Sequence, residues 1–233
     1  MKAFVLAAGV GSRLRPITET VPKCMVPVAG RPLLEHWLDS LAEAGVDEVL
    51  LNLHHLPDVV RAYLAGRAGP PDVRTVYEPD LLGSAGTLIA NRAWVADEQM
   101  FLACYADNLT AFDLSDLITA HREASPAATL TGFRSDNPSA GGVLEVDEAG
   151  WLTSFAEKPA RPASDLVNAG IYAFHPGVLD GVGGRPPKDI ARDLLTGLIG
   201  KARVLPIDSY FRDIGTIAAY RLACAEWPVR VLQ

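Results

Sequence analysis

The chain has 233 residues, of which 49% are apolar, enough to bury a substantial core without disulfides or structural metals. Its formal charge of -7 argues against a general binder of nucleic acid or acidic membranes, but a protein that handles polyphosphates needs only a few well-placed cations. The three cysteines, Cys24, Cys104 and Cys224, are odd in number and lack C-x-x-C spacing, which disfavours a disulfide framework or zinc site and fits reduced thiols in a cytoplasmic setting.

Taken in chain order, the apolar run from Ala3 to Ala8 reads as a buried first strand. It is too short for the core of a signal peptide, and a charged Gly-rich turn follows it. No run reaches the roughly 18–20 apolar residues of a membrane span. Pro32 opens a helix in which Leu34, Trp37, Leu38 and Leu41 recur at helical spacing, and Gly45 closes it. Val49–Leu53 reads as a strand, Asp58–Leu64 as a helix, Gly66–Asp72 as a surface loop and Val73–Tyr77 as a strand. Thr87–Trp94 predicts a helix, and Met100–Tyr105 a strand that delivers Asp107 at its end. Val143–Asp147 and Trp151–Phe155 form a hairpin around Gly150, followed by a strand over Val167–Phe174 and a helix over Asp189–Ile199. Strands alternating with helices predict an α/β fold with a mainly parallel mixed sheet flanked by helices, plus a small β-rich lobe. One domain over residues 1–233 is expected, with no repeat or long linker.

The segment Leu6-Ala7-Ala8-Gly9-Val10-Gly11-Ser12-Arg13-Leu14-Arg15-Pro16-Ile17-Thr18 lies at a strand's C-terminal end, where open α/β sheets bind ligands. Glycines there let backbone N–H groups approach phosphates, Arg13 can pair with phosphate oxygens through two donors, and Lys23 adds a compact charge. The glycine spacing alone equally describes a tight structural turn. A dinucleotide fingerprint needs glycine where Leu14 stands, and a Walker A loop needs Gly-Lys-Ser/Thr, which is missing. Pro16 also pushes residue 15 towards extended geometry, against a helix directly after the turn.

This run, followed by Pro22-Lys23 and Pro27-Val28-Ala29-Gly30-Arg31-Pro32-Leu33-Leu34, resembles the signature of sugar-1-phosphate nucleotidyltransferases. The resemblance recurs in the family's order at Leu82-Gly83-Ser84-Ala85-Gly86-Thr87, Ala106-Asp107-Asn108, Phe155-Ala156-Glu157-Lys158-Pro159, Asn168-Ala169-Gly170-Ile171-Tyr172 and Asp213-Ile214-Gly215-Thr216. It implies a Rossmann-like, nucleotide-diphospho-sugar transferase fold, with about residues 1–110 serving the nucleotide and about 111–233 the sugar phosphate. The implied reaction joins a nucleoside triphosphate to a sugar 1-phosphate and releases pyrophosphate by Mg²⁺-assisted in-line displacement.

The roles that follow are those the resemblance implies. Asp107 and Asp213 are the metal pair; Arg13, Lys23 and Lys158 complete the catalytic set. Leu6, Ala8, Gly9, Gly11 and Ser12 cradle the nucleotide, and Gly83, Ser84, Ala85 and Gly86 form the turn that packs against its base. Asn108, Gly142, Glu157, Lys158 and Asn168 meet the sugar phosphate. Glu78 or Asp80 could accept both N1–H and N2–H of guanine, and the acidic pattern before Leu82 resembles the guanylyl, mannose- and heptose-type branch; an exposed acidic loop accounts for the same residues without a base. GTP is therefore the expected donor. UTP or dTTP, a cytidylyltransferase acting on phosphocholine, and a catalytically silent nucleotide-sugar-binding subunit are the alternatives.

Three positions depart from the family pattern: Ala106 for glycine, Cys24 for proline and Ser84 for threonine. The His54-His55 pair has no third ligand at metal spacing and reads as structural. With Asp213 so near the last residue, the left-handed β-helix or other C-terminal domain of longer family members is not expected, and a homo-oligomer is possible on family grounds. No nucleic-acid or membrane partner is expected.

Overall fold

A computed structural model describes residues 1–180, 182, 184 and 188–230. Its strands run in chain order as β1 (Lys2–Leu6), β2 (Pro27–Val28), β3 (Arg31–Pro32), β4 (Glu48–Leu53), β5 (Asp72–Tyr77), β6 (Phe101–Tyr105), β7 (Asn108–Thr110), β8 (Ala128–Arg134), β9 (Gly142–Val146), β10 (Leu152–Glu157), β11 (Leu166–Phe174), β12 (Ala202–Pro206) and β13 (Phe211–Asp213). The α-helices are α1 (Leu33–Glu43), α2 (Pro57–Ala65), α3 (Ser84–Ala90), α4 (Leu114–Ala124) and α5 (Ile217–Arg230). Two compact units divide the chain: Met1–Leu81 with Cys104–Asp113 and the segment from Ser209 onward, and Leu82–Ala103 with Leu114–Asp208.

In the first unit, β1 pairs in parallel with β4 and β4 with β5. Val49, Leu50, Leu51 and Leu53 are buried along β4, with only the buried Asn52 interrupting them, the near-continuous apolar pattern of a parallel strand covered on both faces. Helix α1 buries Leu34, Trp37, Leu38 and Leu41, each worth roughly 1.5–3 kcal/mol when withdrawn from water. Strand β1 ends at Leu6, before the expected Ala8, because the Ala7 N–H leaves the ladder and donates to Asn52 Oδ1 at 2.7 Å. After the Gly-rich turn come three short 3₁₀ turns, Ser12–Leu14, Ile17–Glu19 and Lys23–Met25, in place of a helix, as the proline-containing segment requires. A short antiparallel ribbon of β7 and β13 sets Asp213 opposite Asn108 and Arg212 opposite Leu109.

The second unit is built on mixed pairing. β11 runs antiparallel to β8 and β9, β9 antiparallel to β10, and β12 parallel to β8. The expected hairpin is therefore present as β9 and β10. The helix expected over Thr87–Trp94 begins earlier, at Ser84, and gives way at Asn91 to a 3₁₀ turn over Arg92–Trp94. The helix expected over Asp189–Ile199 is instead a wide turn, Ile190–Leu194, followed by a tight one, Leu195–Leu198. Asp189 and Asp193 bond each other's backbone there, and Gly197 weakens any continuous helix. Among the described residues, no helix is long and apolar enough to cross a membrane.

Candidate active site

The first unit gathers four of the predicted charged residues. The Ala106 N–H donates to the Leu6 carbonyl at 3.1 Å, which fixes the segment after β6 beside the end of β1. Asp107 follows at once, and its carbonyl accepts from the Ile214 N–H at 3.0 Å. Trp37 of α1 donates its indole N–H to the Asn108 carbonyl at 2.8 Å. The ribbon register thus sets Asp213 beside Asp107. Ala106, where the family has glycine, is buried and does not adopt a positive φ, so its methyl group adds no backbone strain.

Lys23 lies in the 3₁₀ turn after Pro22, is only 8% exposed, and forms an ion pair with Asp107 Oδ2. Gly215 shows how tightly the charges converge: a Cβ there would lie 2.8 Å from Asp213 Oδ1, 2.9 Å from an Arg13 guanidinium nitrogen and 3.2 Å from Lys23 Nζ. Asp213 Oδ1 also accepts from the Gly215 N–H at 2.6 Å. Loss of solvent, and then the neighbouring Asp107 carboxylate, push the Asp213 carboxyl above the ordinary range; Lys23, the Gly215 N–H and Arg13 pull it back. Two carboxylates this close form an electron-rich pair suited to a divalent cation. Among the described residues no group of three His, Cys, Asp or Glu could hold a metal ion.

The Gly-rich turn divides into a structural part and an open part. Gly11 packs against Thr18 and Lys23, and its carbonyl accepts from Thr18 Oγ1 at 2.8 Å. A Cβ on Gly9, by contrast, would meet nothing within 4 Å. Leu6 and Ala8 flank it, while Ser12 and Arg13 are exposed. Glu78 is buried and accepts from Asn52 Nδ2 at 3.0 Å through Oε1, whereas Asp80 is exposed. His54 and His55 donate to the carbonyls of Glu78 and Thr18, both at 2.7 Å, in keeping with their structural reading.

In the second unit, Gly83 has φ +78°, and a Cβ there would sit 2.3 Å from the Lys188 carbonyl oxygen. That carbonyl accepts from the N–H groups of Ala85 and Gly86 at 2.9 and 3.2 Å. Gly142 lies against Phe155 and Glu157, leaving no space for a side chain. Glu157 ends β10, and Lys158 follows with φ +48°, its N–H on the Gly141 carbonyl at 3.0 Å and its ammonium exposed, 3.8 Å from Glu157 Oε1. Holding a lysine in left-handed geometry costs on the order of 1–3 kcal/mol. Asn168 donates to Tyr172 Oη at 2.6 Å and accepts from the Gly170 N–H at 3.3 Å, at an irregularity in the β11–β8 register.

A nucleotidyl transferase family model matches residues 2–227. The chain belongs to the nucleotidyl transferase family. It is 35% identical to a mannose-1-phosphate guanylyltransferase of Mycobacterium tuberculosis, covering 92% of this chain and 61% of that protein. It is 31% identical to a UTP–glucose-1-phosphate uridylyltransferase of Synechocystis, covering 94% of this chain and 61% of that protein. The chain thus spans about three fifths of the length of these curated relatives. HddC from Yersinia pseudotuberculosis, solved in complex with GMP-PN, shares the fold with a TM-score of 0.81 at 22% identity, over 97% of this chain and 99% of that one. The α/β fold expected from the sequence is the fold observed.

Burial pushes the Cys24 thiol up to about 12 and raises Cys104 as well, so neither supplies thiolate at neutral pH. Sequence reasoning missed Asn52, which joins Ala7 to Glu78, and Lys188 with Asp189. Their partners are distant in sequence, and no local spacing marks them.

Proposed function

We propose that this chain transfers a nucleotidyl group from a nucleoside triphosphate, GTP in the first instance, to a sugar 1-phosphate, releasing pyrophosphate. The observation that carries the reading is the convergence of Arg13, Lys23, Asp107 and Asp213 around Gly215. Two cations and two carboxylates at a strand end suit a magnesium triphosphate, and neither set alone would. Asp107 and Asp213 would hold Mg²⁺, which neutralises charge building on the transferred phosphate. Arg13 offers paired donors to phosphate oxygens, and Lys23 brings a charge already withdrawn from water. Gly9 and the neighbouring backbone lie open to the same phosphates. Lys158 is assigned to the acceptor's phosphate, Glu157 and Asn168 to its hydroxyls, and Asn108 and Gly142 to the acceptor as well; the missing side chain of Gly142 lets Phe155 and Glu157 pack close. The sugar phosphate oxygen attacks the α-phosphorus directly, so positioning and electrostatics supply the acceleration without a covalent enzyme intermediate. The free, largely buried cysteines support a cytoplasmic setting.

GTP is favoured by the acidic Glu78–Asp80 segment and by the mannose-1-phosphate guanylyltransferase relative. A second reading, UTP as donor, is favoured by the uridylyltransferase relative, and the commitment of Glu78 Oε1 to Asn52 draws on the acceptor capacity guanine would use. The test is pyrophosphate release with Mg²⁺, crossing GTP, UTP, dTTP, CTP and ATP against the 1-phosphates of mannose, glucose, N-acetylglucosamine and a manno-configured heptose. Release with GTP and a manno-configured acceptor is expected. Release with UTP moves the assignment to the second reading. Silence across the panel from folded protein that still binds a nucleotide overturns catalysis in favour of a binding subunit.

A further inference from the structure

The turn from Leu82 to Gly86 is closed into a ring by a segment that follows it by about a hundred residues. The Lys188 N–H donates to the Leu82 carbonyl at 2.8 Å, and the Lys188 carbonyl takes the Ala85 and Gly86 N–H groups. Ser84 Oγ accepts from the Ile190 N–H at 2.8 Å and donates to Asp189 Oδ2 at 3.1 Å. Asp189 uses its other oxygen to accept from the Arg192 N–H at 3.2 Å, so one carboxylate joins the turn to the wide turn that begins at Ile190.

These bonds consume the amides and hydroxyl that a ligand would otherwise meet at the start of α3. Residues 84–86 therefore act by holding shape, and contact with a ligand falls to Leu82 and Gly83. Gly83 is locked in place as well, because any side chain there would collide with the Lys188 carbonyl. A turn ordered before binding loses little entropy when a flat ring packs on it.

We propose that Asp189, acting through Ser84, is a positioning residue that keeps the Leu82–Gly86 turn in its base-receiving shape. The inference rests on the reading above that this turn receives the nucleobase. Asp189→Asn keeps the size of the side chain but leaves a single acceptor oxygen for the Ser84 hydroxyl and the Arg192 N–H, and Ser84→Ala removes the Ser84–Asp189 link from the other side. Binding of GTP and UTP, and of inorganic tripolyphosphate, all with Mg²⁺, is measured calorimetrically on the full chain.

Each variant is expected to bind the preferred nucleotide about tenfold more weakly, the usual scale for losing a hydrogen bond to a charged group. The double variant is expected to be no worse than Ser84→Ala alone, because that variant already severs the Asp189 link along with the bond from the Ile190 N–H. Tripolyphosphate, which has no base, should bind as to the native chain, and Ser84→Thr, which keeps the hydroxyl, should restore affinity. Native nucleotide affinity in both variants overturns the inference, as does an equal loss for tripolyphosphate, which would mark a merely structural role. A native chain that binds neither nucleotide overturns the functional reading and this inference together.

Discussion

The charged cluster of the first unit and the braced turn of the second are built on opposite principles. Around Gly215, side chains are packed so closely that Asp213 resists ionising beside Asp107, and only Lys23, Arg13 and one backbone N–H offset the repulsion. Around Gly83, backbone groups and short side chains satisfy one another. The first arrangement stores electrostatic demand that an incoming cation and polyphosphate can meet; the second stores shape. Substitutions in the cluster should therefore act on turnover, and substitutions in shape-holding segments on affinity.

The largest effect should follow from breaking the charge pair. Asp107→Asn is expected to lower kcat about a thousandfold by weakening metal binding, while thermal unfolding remains a single cooperative transition. Near-native turnover would remove Asp107 from the metal pair. Next comes Lys158→Gly, which deletes a cation and relieves left-handed strain at the same position. KM for the sugar 1-phosphate should rise about a hundredfold, and the unfolding midpoint should rise by an amount worth about 1 kcal/mol. A fall in stability would show that the lysine packs where it is assigned to bind.

Gly9→Ala sharpens the contrast within a single turn. The new methyl group would touch nothing in the protein, so stability should be unchanged, yet nucleotide affinity should fall about tenfold if backbone N–H groups there approach phosphates. Unaltered binding would mean that this part of the turn faces only solvent.

The smallest effect concerns stability alone. His121 is buried against Thr129 Oγ1 at 3.0 Å, and burial first, then the nearby His175, hold its pKa down to about 4 from 6.5. The folded chain refuses a proton that the unfolded chain accepts between those values. Its contribution is therefore complete above about pH 6.5 and is lost as pH falls towards about 4. His121→Gln should flatten the dependence of the unfolding midpoint on pH across that window. A slope equal to that of the native chain would assign the acid sensitivity to other groups.

Much of this was legible in the residues. The period of α1 marked its buried face, and apolar runs marked the parallel strands, because those signals repeat within a few residues. The stations carrying Arg13, Lys23, Asp107 and Asp213 were readable as motifs. The ribbon of β7 and β13 was not, since three-residue strands carry no periodicity. Glu78 looked like one of two exposed acids in a loop; only the fold buries it under Asn52. Ser84 and Asp189 stand 105 residues apart, and nothing local to either announces the other.

By itself, then, the sequence determined the α/β class, the family and the chemical types the site would use, because composition, spacing and ordered motifs are properties of the chain alone. Only the tertiary structure decided which charges meet, that Lys23 pairs with Asp107 while Asp213 is held above its ordinary pKa, and that residues 84–86 are spent on a brace. Those outcomes depend on desolvation and on distances between groups remote along the chain, and neither exists until the backbone has folded.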